Sequence, residues 1–442
     1  MNETKEELIL RGEFVLASPF EEPIKGGAVV IKKDRIVECG PWTDIESKYP
    51  GARLLERSSG LIAPGLINCH THAPMVLLRG MADDLPLKTW LEKYIFPAEA
   101  CLTKEIVKTA TLLACAEMIR SGTTTFVDMY FFERQMAQVV EQVGLRAYLG
   151  EGIFDFPSPA FENAEKVMEE TRDLVVHYKD NPLINFTVDP HTPYTCSSNI
   201  LVASAEFARA HRLPIVTHLS ETRWEFDETR SIHSKTPVKY LDELGLLGPD
   251  LVAVHCVWLE ESDIDLLAQK NVNVVHCPES NLKLGSGISP LARLLDARVN
   301  VALGTDGAAS NNNLDMLGEM DVAAKLPKGI LQDPSVVTAE QAMYMATEAG
   351  AKAMGAKDLG RLEPGFQADL IVIDLDRPHL RPCYNPVSQM VYSATGGDVS
   401  DVMVAGKFVM EKGRLVTIDE EKLLSQIRSF QNQPFWQEGP CS

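Results

Sequence analysis

Residues 61–72 read LIAPGLINCHTH, an apolar run that ends in two histidines separated by one residue. Runs of this β type recur along the chain, with helical stretches between most of them, at residues 61–69, 123–129, 146–153, 184–188, 214–219, 251–257, 272–277 and 299–303. Strands that are apolar on both faces and alternate with helices predict a parallel sheet covered on its outer face. Eight of them predict an α/β fold of the (β/α)8 TIM-barrel type, with an open doubly wound sheet as the competing interpretation.

The two ends of the chain differ from this alternating middle. Residues 28–39 and 402–410 show hairpin patterns, and residues 368–373 form a further apolar strand pattern. Because chain ends often lie close together, we expect the two ends to pair into one composite β-sandwich domain. The predicted organisation is residues 1–62 for the N-terminal part of that domain, 63–365 for the barrel, and 366–442 for the C-terminal part and a tail.

The chain is acidic but otherwise has the composition of an ordinary globular enzyme. Its 442 residues include 62 Asp and Glu against 42 Lys and Arg, a formal net charge of −20. Such a surface repels phosphate backbones and anionic lipid, so we expect no nucleic-acid or membrane partner. Nine cysteines without a Cys-x-x-Cys pair, and no apolar core after the charged N-terminus, predict reduced thiols and a cytoplasmic location.

Polar side chains follow the carboxyl ends of the apolar runs, where a barrel carries its catalytic groups. The histidines among them are His70, His72, His191, His218, His255 and His276. A polar group at the end of an apolar strand is costly unless it is paired or binds something. Their recurrence at one structural place therefore indicates a site, although any one of them alone would be interpreted as a structural histidine.

The two histidines of the first run predict a metal clamp. Side chains on an extended segment alternate with a period of two, so His70 and His72 point to the same side. His218 ends the fifth run and Asp306 ends the eighth, which completes three nitrogens and one carboxylate. This set leaves a coordination position for water, as catalytic sites do. One divalent ion is expected, with zinc preferred and Fe²⁺ or Mn²⁺ as alternatives.

Taken together, several segments resemble the amidohydrolase superfamily, and the resemblance covers nearly the whole chain. The segments are residues 64–72 (PGLINCHTH), 78–85 (LRGMADDL), 218–221 (HLSE), 255–256 (HC), 280–285 (SNLKLG) and 303–310 (LGTDGAAS). They point to the branch that deaminates 5′-methylthioadenosine, S-adenosylhomocysteine and related adenine nucleosides, with chlorotriazine hydrolases as near relatives. The resemblance implies the barrel, the composite β domain, a small-molecule nucleoside and water as reactants, ammonia as a product, and self-association into a homo-oligomer.

The resemblance also implies roles for individual residues. The metal ligands are His70, His72, His218 and Asp306. The proton-handling and water-orienting residues are Glu221, His255 and Asp306. The substrate-contacting positions are Trp90, Glu99, His191, Glu221 and Ser310. In the implied reaction an activated water attacks C6 of adenine, Glu221 protonates N1, and Glu99 holds the ribose hydroxyls, which favours nucleosides over free bases. His276 receives no role.

Two departures from the family pattern affect the metal count and the substrate. Residues 187–191 contain no lysine that could be carboxylated to bridge two ions, so one ion is expected, with Glu151 as a remaining acidic candidate for bridging a second. Relatives that accept S-adenosylhomocysteine carry an arginine after the third run, where residues 150–152 read GEG and residues 154–163 lack arginine. A substrate carboxylate would have no bidentate partner there. This predicts a preference for 5′-methylthioadenosine, 5′-deoxyadenosine or adenosine over S-adenosylhomocysteine.

Two other functions are weighed against this one. The same metal site would serve a related hydrolase that deaminates or dechlorinates another heterocycle, such as a triazine or a pterin. A non-catalytic barrel scaffold is disfavoured because it predicts loss of the ligands, and the whole set is present. The paired-cysteine zinc signature of deaminases that act on polynucleotides is absent from the sequence.

Overall fold

The computed structural model describes residues 7–431. Within that range no helix is long and apolar enough to cross a membrane. The described residues form two compact units, one of residues 7–68, 117–125 and 315–417, and one of residues 69–116, 126–314 and 418–431. The domain boundaries expected at residues 62 and 365 stay a prediction.

The strands of the described residues fall into one sheet built from the chain ends and two sheets built from the middle of the chain. They are β1 (Leu8–Val15), β2 (Ile24–Lys25), β3 (Gly27–Lys32), β4 (Arg35–Pro41), β5 (Arg53–Pro64), β6 (Leu66–Thr71), β7 (Thr123–Tyr130), β8 (Arg146–Ile153), β9 (Ile184–Phe186), β10 (Asp189–Pro190), β11 (Ile215–Leu219), β12 (Leu251–His255), β13 (Asn273–His276), β14 (Asn300–Leu303), β15 (Leu370–Asp374), β16 (Val399–Val404), β17 (Lys407–Glu411) and β18 (Arg414–Leu415).

Helices connect most strands of the middle of the chain. They are α1 (Trp42–Ile45), α2 (Leu87–Trp90), α3 (Phe96–Glu99), α4 (Lys104–Arg120), α5 (Glu133–Val143), α6 (Ala164–His177), α7 (Ser198–His211), α8 (Arg223–His233), α9 (Pro237–Glu243), α10 (Glu261–Gln269), α11 (Pro278–Lys283), α12 (Leu291–Asp296), α13 (Met316–Leu331), α14 (Ala339–Met345), α15 (Glu348–Ala353), α16 (Pro386–Tyr392) and α17 (Glu420–Gln431). Between α2 and α3 the chain continues as a π-helical turn, Leu91–Ile95.

The two chain ends share a nine-stranded sheet, which confirms the expected composite β structure. Its order is β18-β17-β16-β15-β5-β1-β3-β4, with β2 paired to β1. The central strand β5 is parallel to β1 and antiparallel to β15, so it joins the N-terminal strands to the C-terminal ones. Leu10, Ile62 and Leu370 are buried in one apolar cluster of this sheet. The half-buried Arg57 guanidinium forms a bidentate pair with the buried Asp401, at 3.0 and 2.6 Å.

The middle strands form the barrel that the alternating pattern predicts. The order β10-β8-β7-β6 makes one sheet, in which β9 also pairs with β8, and β11-β12-β13-β14 makes the other as parallel neighbours. A parallel bridge between Val188 and Ile215 links the two sheets on one side. On the other side the Asp306 amide donates a 2.9 Å hydrogen bond to the His70 carbonyl. The succession of parallel strands thus closes, which brings the carboxyl ends of β6 and β14 together.

The first apolar run, residues 61–69, was expected to be one strand and is two. Residues 61–64 end β5 in the sheet of the chain ends, and the barrel begins with β6 after Gly65. Pro64 has no amide hydrogen to continue a ladder. Gly65 turns so close to the next barrel strand that a Cβ atom there would lie 2.1 Å from Thr124 Oγ1. The break between the two sheets therefore depends on the Pro64-Gly65 pair.

Most of the cysteines behave as the sequence predicts. Seven are free thiols, and five of these are buried: Cys69, Cys115, Cys196, Cys256 and Cys277. Cys101 is disulfide-bonded, so the expectation of uniformly reduced thiols was wrong for this residue.

Candidate metal centre and active site

Three imidazoles and one carboxylate converge at the carboxyl ends of β6, β11 and β14. The His218 Nε2 atom lies 3.1 Å from His70 Nε2 and 3.3 Å from His72 Nε2. Asp306 Oδ1 lies 3.4 and 3.3 Å from the same two nitrogens. Ligands at zinc distances of about 2.0–2.1 Å in a tetrahedron are about 3.3 Å apart. These four spacings match those expected of ligands to one ion. His70, His72 and His218 form one group that could hold a metal ion, and Asp306 joins His70 and His255 in a second.

The neighbours of the imidazoles orient their Nε2 atoms towards one point. His72 Nδ1 lies 2.5 Å from the Met129 carbonyl oxygen, and His218 Nδ1 lies 2.8 Å from that of His191. Carbonyl oxygens only accept, so each Nδ1 carries the proton and each Nε2 presents a lone pair. This is the tautomer that a metal ligand requires.

Asp306 is anchored through its other carboxylate oxygen. Asp306 Oδ2 accepts hydrogen bonds from Ser280 Oγ at 2.6 Å and Ser310 Oγ at 2.8 Å. The backbone at Asp306 has φ +63°, a left-handed conformation that is costly for an aspartate. The predicted substrate contact Ser310 thus lies against a metal-ligand candidate, where it fixes the carboxylate.

The electrostatics of the four groups favour positive charge at their centre. Burial would raise the pKa of Asp306, but its bonds to His70 and His72 outweigh burial and hold that pKa well below its ordinary range. Burial lowers the pKa of His70 to about 4 and the pKa of His218 well below 6.5. For His72 burial acts in the same direction, yet Asp306 raises its pKa to about 9. The Asp306 carboxylate thus favours positive charge at this centre, which suits a divalent cation.

Glu221 and His255 lie beside this centre. Glu225 fixes the turn after β11. Its carboxylate accepts hydrogen bonds from the Ser220 and Glu221 amides, at 2.9 and 2.7 Å. Glu221 Oε2 then lies 3.8 Å from His255 Nε2. Burial raises the pKa of Glu221, and this favours the protonated form that can donate to a substrate nitrogen. His255 has φ +74°, a strained conformation at the end of β12.

One inner cavity gathers the predicted residues. It is lined by His72, Trp90, Glu99, His191, His218, Glu221, His255, Asp306 and Ser310, and His70 completes the metal centre behind it. Burial raises the pKa of Glu99 to about 7, next to the Tyr130 hydroxyl. His191 is neutral because burial lowers its pKa to about 3, and its ring lies 4.6 Å from that of Phe154.

Several cavity residues were not found from the sequence. They are Met75, Leu87, Leu91, Phe96, Met129, Tyr130, Phe131, Gly152, Phe154, Thr192, Tyr194 and Leu284. Most are apolar or aromatic, and the sequence contains many such residues that serve only as core. The position of Tyr130 directly after Asp128-Met129 at the end of β7 was the one available signal.

A larger outer cavity of about 460 Å³ adjoins the inner one. The two cavities share Leu87, Leu91, Phe96, Tyr194 and Leu284. The wall of the outer cavity carries five aromatic side chains, two cations and one carboxylate. Members that it does not share with the inner cavity include Lys88, Glu92, Phe156, Arg223, Trp224, Trp258 and Ser286. Lys88 Nζ lies 4.7 Å from the centre of the Trp224 ring, and the Arg223 guanidinium lies 5.2 Å from that of Trp258.

Glu151 has a structural environment that the sequence did not reveal. Its two carboxylate oxygens accept the Phe132 and Glu133 amides, both at 3.0 Å, at the start of α5. Among the described residues it belongs to neither of the two groups that could hold a metal ion. The suggestion that it bridges a second ion therefore gains no support. His276 is buried, and burial lowers its pKa to about 3.

These features define a class: a barrel hydrolase with a candidate metal centre, in which three histidines and an aspartate lie beside a glutamate and a further histidine. The sequence profile of the amidohydrolase family matches residues 61–409. The chain therefore belongs to the amidohydrolase family, as its motifs led us to expect.

The chain is similar along most of its length to two sequence relatives and one solved structure, among others. The chain is 47% identical, over 95% of its length and 96% of the relative's, to 5-methylthioadenosine/S-adenosylhomocysteine deaminase of Syntrophobacter fumaroxidans. It is 44% identical to 5′-deoxyadenosine deaminase of Methanothermobacter thermautotrophicus, over 91% and 93%. It matches the crystal structure of an adenosine deaminase from Xanthomonas campestris with bound zinc at a TM-score of 0.95 and 38% identity, covering 97% of this chain and 98% of the other.

Proposed function

We propose that this protein is a metal-dependent hydrolytic deaminase of adenine nucleosides. It replaces the 6-amino group with oxygen, giving the inosine-type product and ammonia. The observation that carries the proposal is the four-atom centre of His70, His72, His218 and Asp306 beside a buried, protonatable Glu221. Relatives at 44–47% identity that act on 5′-substituted adenosines support the substrate class.

The donor set and the ligand spacing suit zinc, which we propose as the ion. When bound, the ion supplies an activated water molecule at neutral pH. Asp306 accepts a proton from that water, and His255 orients it towards C6 of the purine. Glu221 donates a proton to N1 as the C6–O bond forms. The C6–N bond then breaks. The amino group leaves as ammonia with the proton that Asp306 had accepted, and the new C6 hydroxyl gives its proton to Glu221 as the C6=O bond forms.

The remaining polar groups of the inner cavity position the nucleoside. Glu99 is buried beside Tyr130, and it is proposed to accept hydrogen bonds from the ribose hydroxyls. Trp90 and the neutral His191 lie in the same cavity and are proposed to contact the base and the sugar. The 5′ substituent then extends towards the outer cavity, since the two cavities share a wall.

Ammonia release from a panel of nucleosides, measured on protein of known metal content, tests the proposed function. We expect turnover of 5′-methylthioadenosine, 5′-deoxyadenosine or adenosine, with a lower kcat/KM for S-adenosylhomocysteine. Turnover confined to a triazine, a pterin or another heterocycle would support the alternative hydrolase. No turnover of any amino-heterocycle by metal-loaded protein would contradict both.

Two further expectations belong to the same proposal. The acidic chain is proposed to work in the cytoplasm and to self-associate. Light scattering of the metal-loaded protein measures the second directly, and a monomer at all concentrations would contradict it.

A further inference from the structure

The side chain of Glu221 can adopt more orientations than proton donation to a substrate permits. Its backbone is fixed by Glu225, but three side-chain torsions separate that backbone from the carboxyl group. A proton donor must lie within hydrogen-bonding reach of its acceptor, so geometry decides its efficiency before acidity does. A contact that holds the carboxyl group is therefore expected near it.

Ser286 makes that contact. Its hydroxyl donates a 3.1 Å hydrogen bond to Glu221 Oε1, and both side chains are buried. The bond occupies one carboxylate oxygen and leaves Oε2, which lies 3.8 Å from His255 Nε2, free to exchange the proton. Serine and glutamate are 65 positions apart in the sequence, and nothing in the motif around residues 280–285 indicates this partner.

The segment that carries Ser286 is itself held in place. The Trp258 indole donates a 2.7 Å bond to the Ser286 carbonyl, and the Ser286 amide donates a 2.9 Å bond to the Asn281 carbonyl. Gly287 follows with φ +128°, and a Cβ atom there would lie 2.9 Å from Val257. The Asn281 side chain meanwhile accepts from His255 Nδ1 at 3.0 Å. One short segment, residues 281–287, therefore reaches both proton-handling side chains.

We propose that Ser286 is a positioning residue for the deamination, holding the Glu221 carboxyl group so that Oε2 faces the substrate. Ser286 also lines the outer cavity, whereas Glu221 lines the inner one. The bond between them is thus a direct link from the outer cavity to the reacting atoms. This inference rests on the proposed function and adds a residue that it does not contain.

Ser289 is a matched control for Ser286. It lies in the same loop, is equally buried, and donates its hydroxyl at 2.9 Å to the Cys256 carbonyl rather than to Glu221. Ser286→Ala and Ser289→Ala each remove one buried hydroxyl. We expect Ser286→Ala to lower kcat about 10- to 100-fold with little change in KM and none in metal content, because it removes a hydrogen bond to an ionisable group. We expect Ser289→Ala to lower kcat far less.

A double-mutant cycle separates positioning from general damage. In a Glu221→Gln background the orientation of that side chain no longer matters, so Ser286→Ala should change kcat no further. A loss of the same size in both backgrounds, or an equal loss in Ser289→Ala, would overturn the proposal. Crystal structures of metal-loaded wild type and Ser286→Ala test it without any substrate. If the Glu221 carboxyl group has the same position in Ser286→Ala as in wild type, the positioning role is overturned, whatever the substrate proves to be. If the wild-type protein is inactive on nucleosides, that result counts against the proposed function alone.

Discussion

Buried polar groups are paired in the sheet of the chain ends, whereas several are unpaired around the inner cavity. In the sheet, the half-buried Arg57 and the buried Asp401 pair through two hydrogen bonds. Around the cavity, His70 Nδ1, His276 Nδ1 and Asn281 Nδ2 are buried without a hydrogen-bond partner among the described residues, and no strand of the nine-stranded sheet carries such an atom. A buried polar atom left unpaired costs about 1–3 kcal/mol. The described strands of the sheet therefore satisfy their buried polar groups within the protein, whereas the strand ends around the cavity leave several of them unsatisfied.

The largest effect is expected on removing the ion that the residues of the inner cavity are proposed to hold, and this removal tests the contrast most directly. Chelation should abolish ammonia release, and added zinc should restore it. Asp306→Asn removes the only anionic ligand, so we expect both metal content and activity to be lost and zinc to restore neither. Asp401→Asn is the control, because it alters a buried carboxylate of the sheet and should leave metal content unchanged. Full activity in metal-free protein would contradict the proposal.

The next largest effect is expected at the proton donor. Glu221→Gln keeps the shape of the side chain and its contact with Ser286 but cannot carry the proton. General acid–base groups contribute about 10²–10⁴-fold, so kcat should fall by that order while metal content is retained. Single-turnover kinetics with 5′-methylthioadenosine measure the chemical step. Near-normal turnover would show that Glu221 has another role.

The sheet should respond in stability rather than in activity. Arg57→Ala removes the cationic partner of the fully buried Asp401 and leaves only the Ser400 hydroxyl and the Lys412 amide as its donors. Breaking a buried ion pair costs about 3–5 kcal/mol. We expect the lower end of this range because the Arg57 side chain is 10% exposed. Chemical denaturation gives the free energy of unfolding, and kcat of the folded variant should match that of wild type. If Arg57→Ala lost metal but kept its stability, the sheet would affect the metal site rather than stability, which would contradict the contrast between the two regions.

The last prediction concerns the pH dependence of stability. Burial raises the pKa of Glu151 from 4.5 to about 8, against the two amide bonds that lower it. The folded protein then keeps a proton that the unfolded chain releases above pH 4.5, so this contribution to stability is present below pH 4.5 and is lost as pH rises towards about 8.

Glu151→Gln should flatten the dependence of the unfolding free energy on pH in that window. Denaturation of metal-loaded wild type and variant at several pH values between about 5 and about 8 measures the slope. The exposed Glu169 on α6 provides the control, since Glu169→Gln should leave the slope unchanged. Equal slopes in wild type and Glu151→Gln would contradict the raised pKa.

The sequence predicts what periodicity and strand-end position determine. Eight apolar runs identify the barrel, and their ends identify His70, His72, His218 and Asp306, because parallel strands bring their carboxyl ends together. The run at residues 61–69 misled because two different sheets use it, and only the approach of Gly65 to Thr124 reveals where one stops. The fourth run, residues 184–188, forms a strand only over Ile184–Phe186 (β9), and the short strand β10 follows the run at Asp189–Pro190.

The supporting contacts could not be predicted for a different reason. Ser280, Asn281 and Ser286 are common residue types whose partners lie 26 to 65 positions away, so neither spacing nor residue type identifies them. The roles of Glu221 and His255 came from resemblance to a family and not from the residues alone. Arg57 and Asp401 are 344 positions apart, and the residues around each of them in the sequence do not indicate that they pair.

The double pairing of β5 has a consequence for synthesis on the ribosome. Its parallel partner β1 emerges before it, but its antiparallel partner β15 emerges about 300 residues later. At about 5–20 residues per second the nascent chain carries β5 with one open edge for roughly 15–60 s. An unpaired edge rich in Leu, Ile and Ala is a template for intermolecular association. We therefore expect the yield of native protein to depend on chaperones that protect nascent chains until Leu370–Asp374 has been translated.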